Sequence, residues 1–352
     1  MKKKGKGRVF LVIWAVLATI IAVGLIAFEV LRMTGKVNLA SKSVTSTPML
    51  ETGTDESDSA AMSDTVWEAD WVRYNGHVYD YNEDIKTFLI MGIDKTDEVI
   101  PVAEGTDGGQ ADGLFLLVLN PHDESIKVIA INRNTMADVD IYDENGRYMT
   151  TATAQIAVQH GFGDGVEESC GYQVKAVSKL FYQLPIHGYA AINMSAISTI
   201  NDTIGGVDVV VLEDLTKADK KLVKGEQVHL VGDMAFTYVK YRDTSLYGSS
   251  DSRLLRQKQY LKQFIEKARV KSREDSSTAL DIYSAIAAQM TTDITADELT
   301  YLVPLINNYS FDENDVITLD GSTKKGEKFE EFYVDEDALY ETIIDVFYEK
   351  IS

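Results

Sequence analysis

Phe88-Leu-Ile-Met-Gly-Ile-Asp94, Asp112-Gly-Leu-Phe-Leu-Leu-Val-Leu119 and Ile126-Lys-Val-Ile-Ala-Ile-Asn132 are the three runs that decide the fold. Each is a short, nearly unbroken apolar stretch, which is how a strand buried on both faces reads. Asn120-Pro-His-Asp-Glu-Ser125 joins the second to the third as a turn-rich hairpin connection. Asp94 ends the first run, Asp112 opens the second and Arg133 follows the third, so all three stand at strand edges. Two carboxylates at an edge can share a divalent cation, and a guanidinium beside them can take phosphate oxygens.

Further along come Tyr238-Val-Lys240-Tyr-Arg242 and Ser250-Asp251-Ser-Arg253-Leu-Leu-Arg256-Gln257. On a helix, Arg253, Arg256 and Gln257 lie three and four residues apart and share a face. Leu254, Leu261, Phe264, Ile265 and Ala268 form the apolar face, directed into the core or toward a lipid tail. Carboxylates with converging guanidiniums are what a pyrophosphate ester requires.

Strands are expected at 86–92, 112–119, 126–132, 188–192 and 207–212, and Asn145-Gly146 marks a hairpin. Helices are expected at 152–160, 171–183, 195–203, 233–241, 250–270, 279–290, 296–308 and 336–350. The aromatic run Trp67, Trp71, Tyr74, Tyr79 and Tyr81 reads as a lead-in strand packing on the core in preference to a sugar-stacking platform. Mixed strands and helices of this kind predict an α/β fold, a layered α-β-α sandwich with a central mixed sheet.

At 352 residues and 45% hydrophobic content, the chain is able to bury a sizeable core. Its net charge of −21 excludes the basic footprint of a nucleic-acid-binding protein. The positive charge is local: Lys2, Lys3, Lys4, Lys6 and Arg8 precede an uncharged stretch from Val9 to Phe28, about twenty residues, long enough to span a bilayer. A cleaved signal peptide has a shorter apolar core and a small-residue cleavage site, and neither is present here. The organisation expected is a basic cytoplasmic tail at 1–8, a single transmembrane helix at 9–31, a flexible Ser/Thr/Asp/Glu-rich tether at 32–66 and an extracellular domain at 67–352. Cys170 is the only cysteine, which rules out an intrachain disulfide and reads as an inert core residue in preference to a catalytic thiol with a histidine beside it.

Other signatures fail. Gly321-Ser-Thr-Lys-Lys-Gly-Glu-Lys328 has Glu327 where a phosphate-binding loop needs lysine, and reads as a solvated loop. Gly161, Gly163 and Gly165 lack dinucleotide-binding spacing, residues 138–146 fail as a calcium loop at Ile141, and the five histidines are too scattered for zinc.

What survives resembles the LytR-CpsA-Psr family of cell-envelope proteins over about residues 87–265. The resemblance is carried by the ordered succession Gly92-Ile-Asp94, Ala111-Asp112, Asn132-Arg133-Asn-Thr135, Gly205-Gly206-Val207, Lys224-Gly225, Leu230-Val-Gly232, Ala235-Phe-Thr-Tyr238-Val-Lys-Tyr-Arg242 and Asp251-Ser-Arg253-Leu-Leu-Arg256-Gln257. It implies a phosphotransferase that moves a glycopolymer, of the teichoic acid or capsular polysaccharide kind, from a polyprenyl-pyrophosphate carrier to a peptidoglycan hydroxyl. The setting it implies is the membrane of a Gram-positive-type bacterium, with the catalytic domain outside. By resemblance, Asp94 and Asp112 hold Mg²⁺ or Mn²⁺, while Arg133, Arg242, Arg253 and Gln257 bind the pyrophosphate. Lys240 and Arg256 are expected to join them.

Three positions depart from the family pattern. Asn134 stands where aspartate often follows the arginine, Lys240 replaces the first arginine of an Arg-x-Arg pair, and Thr96 replaces an arginine beside Lys95. The rival reading is a non-catalytic envelope protein that binds polyprenyl phosphates through the same arginines.

Overall fold

A computed structural model of the protein describes residues 26–42, 47–50, 70–102, 107–143 and 145–351. Most of the expected anchor, 9–31, lies outside the described residues, and among those described no helix is long and apolar enough to cross a membrane.

The described residues open with helix α1 over 26–41. A hairpin of β1 (Trp71–Tyr74) and β2 (His77–Tyr81) follows, turning on Asn75 and Gly76, both left-handed at φ 49° and 76°. Next come β3 (Lys86–Ile93), β4 (Ala111–Asn120), β5 (Ser125–Ile131), β6 (Met136–Tyr142) and β7 (Tyr148–Gln155). Helix α2 (Glu167–Leu180), β8 (Gly188–Asn193), α3 (Ala196–Thr203), β9 (Val207–Val210) and β10 (Gln227–Leu230) lead to α4 (Asp233–Lys240) and the long α5 (Ser249–Glu274). The chain closes with α6 (Thr278–Ala285), β11 (Met290–Thr292), α7 (Ala296–Asn308), β12 (Val316–Thr318), β13 (Gly321–Lys325), β14 (Glu330–Val334), α8 (Glu336–Phe347) and β15 (Tyr348–Lys350).

The three opening runs are the centre of a six-stranded mixed sheet ordered β11-β8-β3-β4-β5-β12. Strands β3, β4 and β5 pair antiparallel, whereas β8 runs parallel to β3 and β12 parallel to β5. The period of two along a strand gives each face its own partner layer. Leu89, Met91, Ile93, Leu114 and Leu116 pack with Val177 of α2, with Phe181 just after it, and with Ile343 and Phe347 of α8. The opposite face, with Phe88, Ile90, Phe115 and Leu117, looks toward α3, α5, α6 and α7. Met194, Val207, Leu230, Tyr238 and Tyr260 form a separate core joining the β9–β10 ribbon to α4 and α5.

Several expectations are corrected. Residues 152–160 were expected to be helical, but 148–155 is a strand paired with β6 about the Asn145-Gly146 turn, and a 3₁₀ turn over Ile156–Phe162 follows. Thr150, Thr151 and Thr153 favour the pleated, half-exposed ribbon over a helix. Gly321–Lys325 is the first strand of the β13–β14 hairpin, so it is not a loop. The helices expected at 279–290 and 336–350 end at Ala285 and Phe347 and give way to edge strands. The tether does not begin at 32: α1 runs to residue 41, Leu39 is buried among Phe88, Leu119 and Leu302, and Leu50 joins the main core. Cys170 does have a histidine neighbour, with Sγ 3.8 Å from His160 Nε2. Burial drives the thiol pKa far up and the imidazole pKa down, so the pair is a neutral core contact.

His187 ties β3 to the start of β8. Its Nδ1 accepts the Thr87 N–H at 3.2 Å, and its own N–H donates to the Thr87 carbonyl at 2.8 Å. Burial, aided by nearby Lys86, lowers its pKa from 6.5 to about 4. The unfolded chain therefore takes a proton on this histidine below pH 6.5 that the folded protein refuses until about pH 4. Stability is expected to be indifferent to this group above pH 6.5 and to fall by roughly 3 kcal/mol on going down to pH 4. His187→Asn, which keeps an acceptor but does not titrate, should flatten the pH dependence of urea unfolding across that window. An unchanged slope would show that the acid sensitivity arises elsewhere.

Candidate active site

The site is built by strand register. Because β3 and β4 are antiparallel neighbours, with Ile93 opposite Ala111, the residue that ends one run and the residue near the start of the other reach the same edge. Asp94 and Gln110 close that edge: the Asp94 N–H donates to the Gln110 carbonyl at 3.0 Å, and the Gln110 N–H to Asp94 Oδ1 at 2.7 Å. Leu114 lies opposite Ile131 in the β4–β5 pair, so two residues further on Asp112 and Arg133 face each other.

Asp112 is buried, at 8% exposure, and is gripped from two sides. One oxygen accepts from Arg133 Nη1, the other from Arg253 Nη1 at 2.8 Å. Arg133 Nη2 donates to the Gln110 side-chain carbonyl, which links the Asp94 corner to the Arg133–Asp112–Arg253 group. Helix α5 is aimed by its first turn. Asp251 accepts from Asn132 Nδ2 at 2.7 Å and from Thr323 Oγ1 at 2.8 Å, pinning the helix start to the end of β5 and to the β13–β14 hairpin. Arg253 follows and enters the site.

The cations outnumber their partners. Burial lowers the Arg253 pKa, Asp112 raises it, and Arg133 and Arg242 lower it further, so Arg242 belongs to the same field. Arg133 Nε and Arg253 Nη2 are buried donors without an acceptor. Orphaned buried guanidinium nitrogens are costly, and an anion supplied from outside satisfies them. Asp94 is exposed. Two aspartates offer a divalent ion few ligands, and among the described residues no cluster of three or more His, Cys, Asp or Glu side chains is placed to hold one. Such a set suits Mg²⁺, which takes one or two carboxylates and completes its shell with phosphate and water.

Next to this edge is an apolar cavity of about 420 Å³ between the sheet and helices α3, α5, α6 and α7. Its walls include Phe88, Phe115, Ile197, Phe264, Ile282 and Leu302. Gly92 and Gly113, paired across β3 and β4, line its end nearest Asp94 and Asp112. Gln257, one turn beyond Arg253, also lines it, with its amide donating to the Val239 carbonyl at 3.3 Å. A cluster of cationic donors thus adjoins an apolar chamber.

Arg256 is engaged away from the site, and Lys240 rests over a ring of its own helix. Arg256 is 1% exposed and spends its guanidinium internally, on Glu213 Oε1 at 2.7 Å and on the carbonyls of Tyr238 and Tyr241. The three-residue spacing from Arg253 turned it to the α4 side of the helix, so it is a structural arginine. Lys240 lies 4.9 Å from the centre of the Phe236 ring, one helical turn back. The Asn134 departure does not touch Arg133: its side-chain oxygen accepts from Gln155 Nε2 at 3.1 Å, and Asp112 and Gln110 orient the arginine instead. Gln110 and Gly113 are contributors that sequence reasoning overlooked, and Gly92 entered it only as a motif residue without a role. Arg256→Ala should destabilise the fold by about 2–4 kcal/mol, since it strands the buried Tyr238 carbonyl, removes a partner from the half-exposed Glu213 and the Tyr241 carbonyl, and opens a cavity. Denaturant unfolding measures this; an unchanged midpoint with lost ligand binding would return Arg256 to the site.

Comparison with known proteins bears on the fold and the family. Residues 38–343 match the LytR_cpsA_psr family model, well beyond the 87–265 of the motif resemblance. The chain is 30% identical over 213 residues to a polyisoprenyl-teichoic acid–peptidoglycan teichoic acid transferase TagU of Bacillus mycoides, covering 60% of this chain and 62% of that protein. The TagU of Oceanobacillus iheyensis is 24% identical over 241 residues, 68% of this chain and 67% of the relative. The match to the Bacillus mycoides protein thus spans a little under two thirds of its length. Among solved structures, B. subtilis TagV superposes with a TM-score of 0.57 at 22% identity, covering 74% of this chain and 96% of that one. TagT bound to LI-WTA gives 0.56 at 20%, covering 75% and 89%. The α/β fold around a central mixed sheet is the fold of these structures, and the chain belongs to the LytR_cpsA_psr family.

Proposed function

We propose that the protein transfers a glycopolymer from a polyprenyl-pyrophosphate carrier to a peptidoglycan hydroxyl during cell-wall assembly. The observation that carries this reading is the pairing of two orphaned, buried guanidinium donors, on Arg133 and Arg253, with an apolar cavity at the same sheet edge. A pyrophosphate head on an isoprenoid tail has that polarity. The names of the TagU relatives, polyisoprenyl-teichoic acid–peptidoglycan teichoic acid transferases, support the same chemistry.

In this reading Arg133, Arg242 and Arg253 bind the pyrophosphate, and Gln257 sits where head group meets tail. Asp94, and Asp112 through the lone pairs its two arginines leave open, would hold Mg²⁺ or Mn²⁺, and the ion would neutralise phosphate oxygens. Asp112 also keeps Arg133 and Arg253 from swinging together or apart. The acceptor hydroxyl attacks the sugar-linked phosphorus; a new P–O bond forms, the bridging P–O bond breaks, and polyprenyl phosphate leaves with the electron pair. The hydroxyl proton passes to solvent or to the leaving phosphate. Charge grows on the departing phosphate, where the preorganised guanidiniums act most strongly. The sites on this chain and the anchored, extracellular placement belong to the same proposal.

The test is turnover of a synthetic lipid-pyrophosphate-linked saccharide by the purified chain, with and without EDTA and added Mg²⁺. Metal-dependent release of polyprenyl phosphate supports the reading. Tight binding without turnover, across several saccharides, favours a polyprenyl-phosphate-binding envelope protein. Lys240 above Phe236 is the local departure that bears on this alternative, and Lys240→Arg restoring turnover would identify a degenerate site.

A further inference from the structure

Helix α1 crosses the start of α7, and the contact is specific. Gly35 packs against the backbone there: a Cβ on it would collide with the Asp297 carbonyl. Asn38 Nδ2 donates to Asp297 Oδ2 at 2.8 Å. Lys42 Nζ donates to the Asp293 carbonyl and, at 2.8 Å, to Glu298 Oε2, a carboxylate whose side chain is only 1% exposed. That same oxygen accepts the Thr295 N–H in the capping box of α7, so the lysine neutralises a buried charge that the helix needs. Leu39 is 2% exposed and packs on Phe88, Leu119 and Leu302, and all three of these also line the apolar cavity.

Before Gly35 the helix leaves the domain. Ile26, Phe28, Val30, Leu31 and Met33 are between 44% and 67% exposed. Residues 26–34 therefore form an exposed, mostly apolar rod of roughly 13 Å at 1.5 Å per residue, broken only by the Glu29–Arg32 ion pair and continuous in sequence with the uncharged run that precedes it. The apolar cavity lies along the strand that Leu39 reaches. Along β3 it extends from Gly92, beside the polar edge, back to Phe88, roughly 13 Å at 3.3 Å per residue. Its far end is thus the place where Leu39 docks.

We propose that α1 is an orienting strut: clamped to α7 through Gly35, Asn38, Leu39 and Lys42, it holds the far end of the apolar cavity toward the bilayer, so that the carrier's tail enters from the membrane side while its head group reaches the arginines. This rests on the cavity as the tail site and on residues 9–31 as a membrane anchor. A slack tether lets the domain sample all orientations, and a fixed strut removes that entropy from the encounter with a membrane-borne donor.

The experiment uses the full chain in nanodiscs. Gly35→Leu and Lys42→Ala are compared with the unaltered protein on two donors: a long-chain polyprenyl-pyrophosphate saccharide in the bilayer, and a farnesyl analogue supplied from water. A fall of tenfold or more on the bilayer donor, with the farnesyl donor within twofold, is the result expected. Equal loss on both donors, or no loss on either, overturns the strut. A second readout separates this proposal from the transfer reading: a fluorophore on Asn308→Cys, at the exposed end of α7, with quencher-labelled lipids. Cys170 is buried and stays unlabelled. Quenching that changes between the unaltered protein and Gly35→Leu supports the strut even if neither donor is turned over; identical quenching overturns it.

Discussion

Arg253→Ala is expected to slow transfer by roughly 100-fold or more and to leave the fold as stable as before. The two halves of that expectation come from the same cause. Arg253 is 4% exposed, and its charge is opposed by burial and by Arg133 and Arg242, with Asp112 alone in support. Removing it relieves repulsion and leaves Asp112 still paired with Arg133, so no buried charge is stranded. In the transfer step, however, the lost guanidinium is one whose unpartnered Nη2 waits for a phosphate oxygen. Steady-state rates and thermal unfolding measured together decide the matter. Collapse of the fold with normal specific activity in the surviving molecules would make Arg253 an ion-pair strut for Asp112.

Gly113→Leu should be nearly as damaging to a long-chain donor, again without loss of stability. Gly113 and Gly92 are directly paired at the join between polar edge and apolar cavity. A Cβ at Gly113 meets only ordinary contacts, the Phe115 ring at 3.5 Å and the Gly92 backbone at 3.7 Å, so the strand accepts a side chain. An isobutyl group there fills the neck with carbon that packs well against the cavity walls. Displacing the bound head group by an ångström costs about 100-fold, and Gly113→Ala, one carbon long, should cost far less. Undiminished turnover in the leucine variant would mean that the tail does not pass between these glycines.

Much of this was legible in the chain. The three apolar runs fixed the sheet centre, because a strand buried on both faces has few other readings. Asp94, Asp112 and Arg133 followed from it, since antiparallel neighbours must deliver their ends to one edge. Helix α5 was readable from its period, but the direction of individual side chains was not. Arg253 and Arg256 look equivalent in sequence, yet one enters the site and the other is bound by Glu213 and two carbonyls. Those partners come from α4 and the loop after β9, at separations no local pattern reveals. Gln110 was hidden for a similar reason: it acts through the irregular register between Gly92 and Ile93, where strand pairing shifts. The hairpin of β13 and β14 was missed because β13 is polar and exposed and carries no apolar alternation; its pairing with β14, whose Phe332 is buried, and a hydrogen bond from Thr323 to Asp251 hold it. Residues 36–42 read as tether because their composition is largely polar, while the contacts that order them are a single leucine, an asparagine on Asp297 and one lysine reaching a buried glutamate.

The most direct test of the central claim is a crystal structure of residues 26–352 grown with a short-chain polyprenyl pyrophosphate and Mg²⁺. The account predicts phosphate oxygens within hydrogen-bonding distance of Arg133 Nε and Arg253 Nη2, the metal between Asp94 or Asp112 and the phosphates, and the isoprenoid passing Gly92 and Gly113 into the cavity toward Phe88. A pyrophosphate bound elsewhere, with those two nitrogens still unpartnered and the cavity empty, would contradict it.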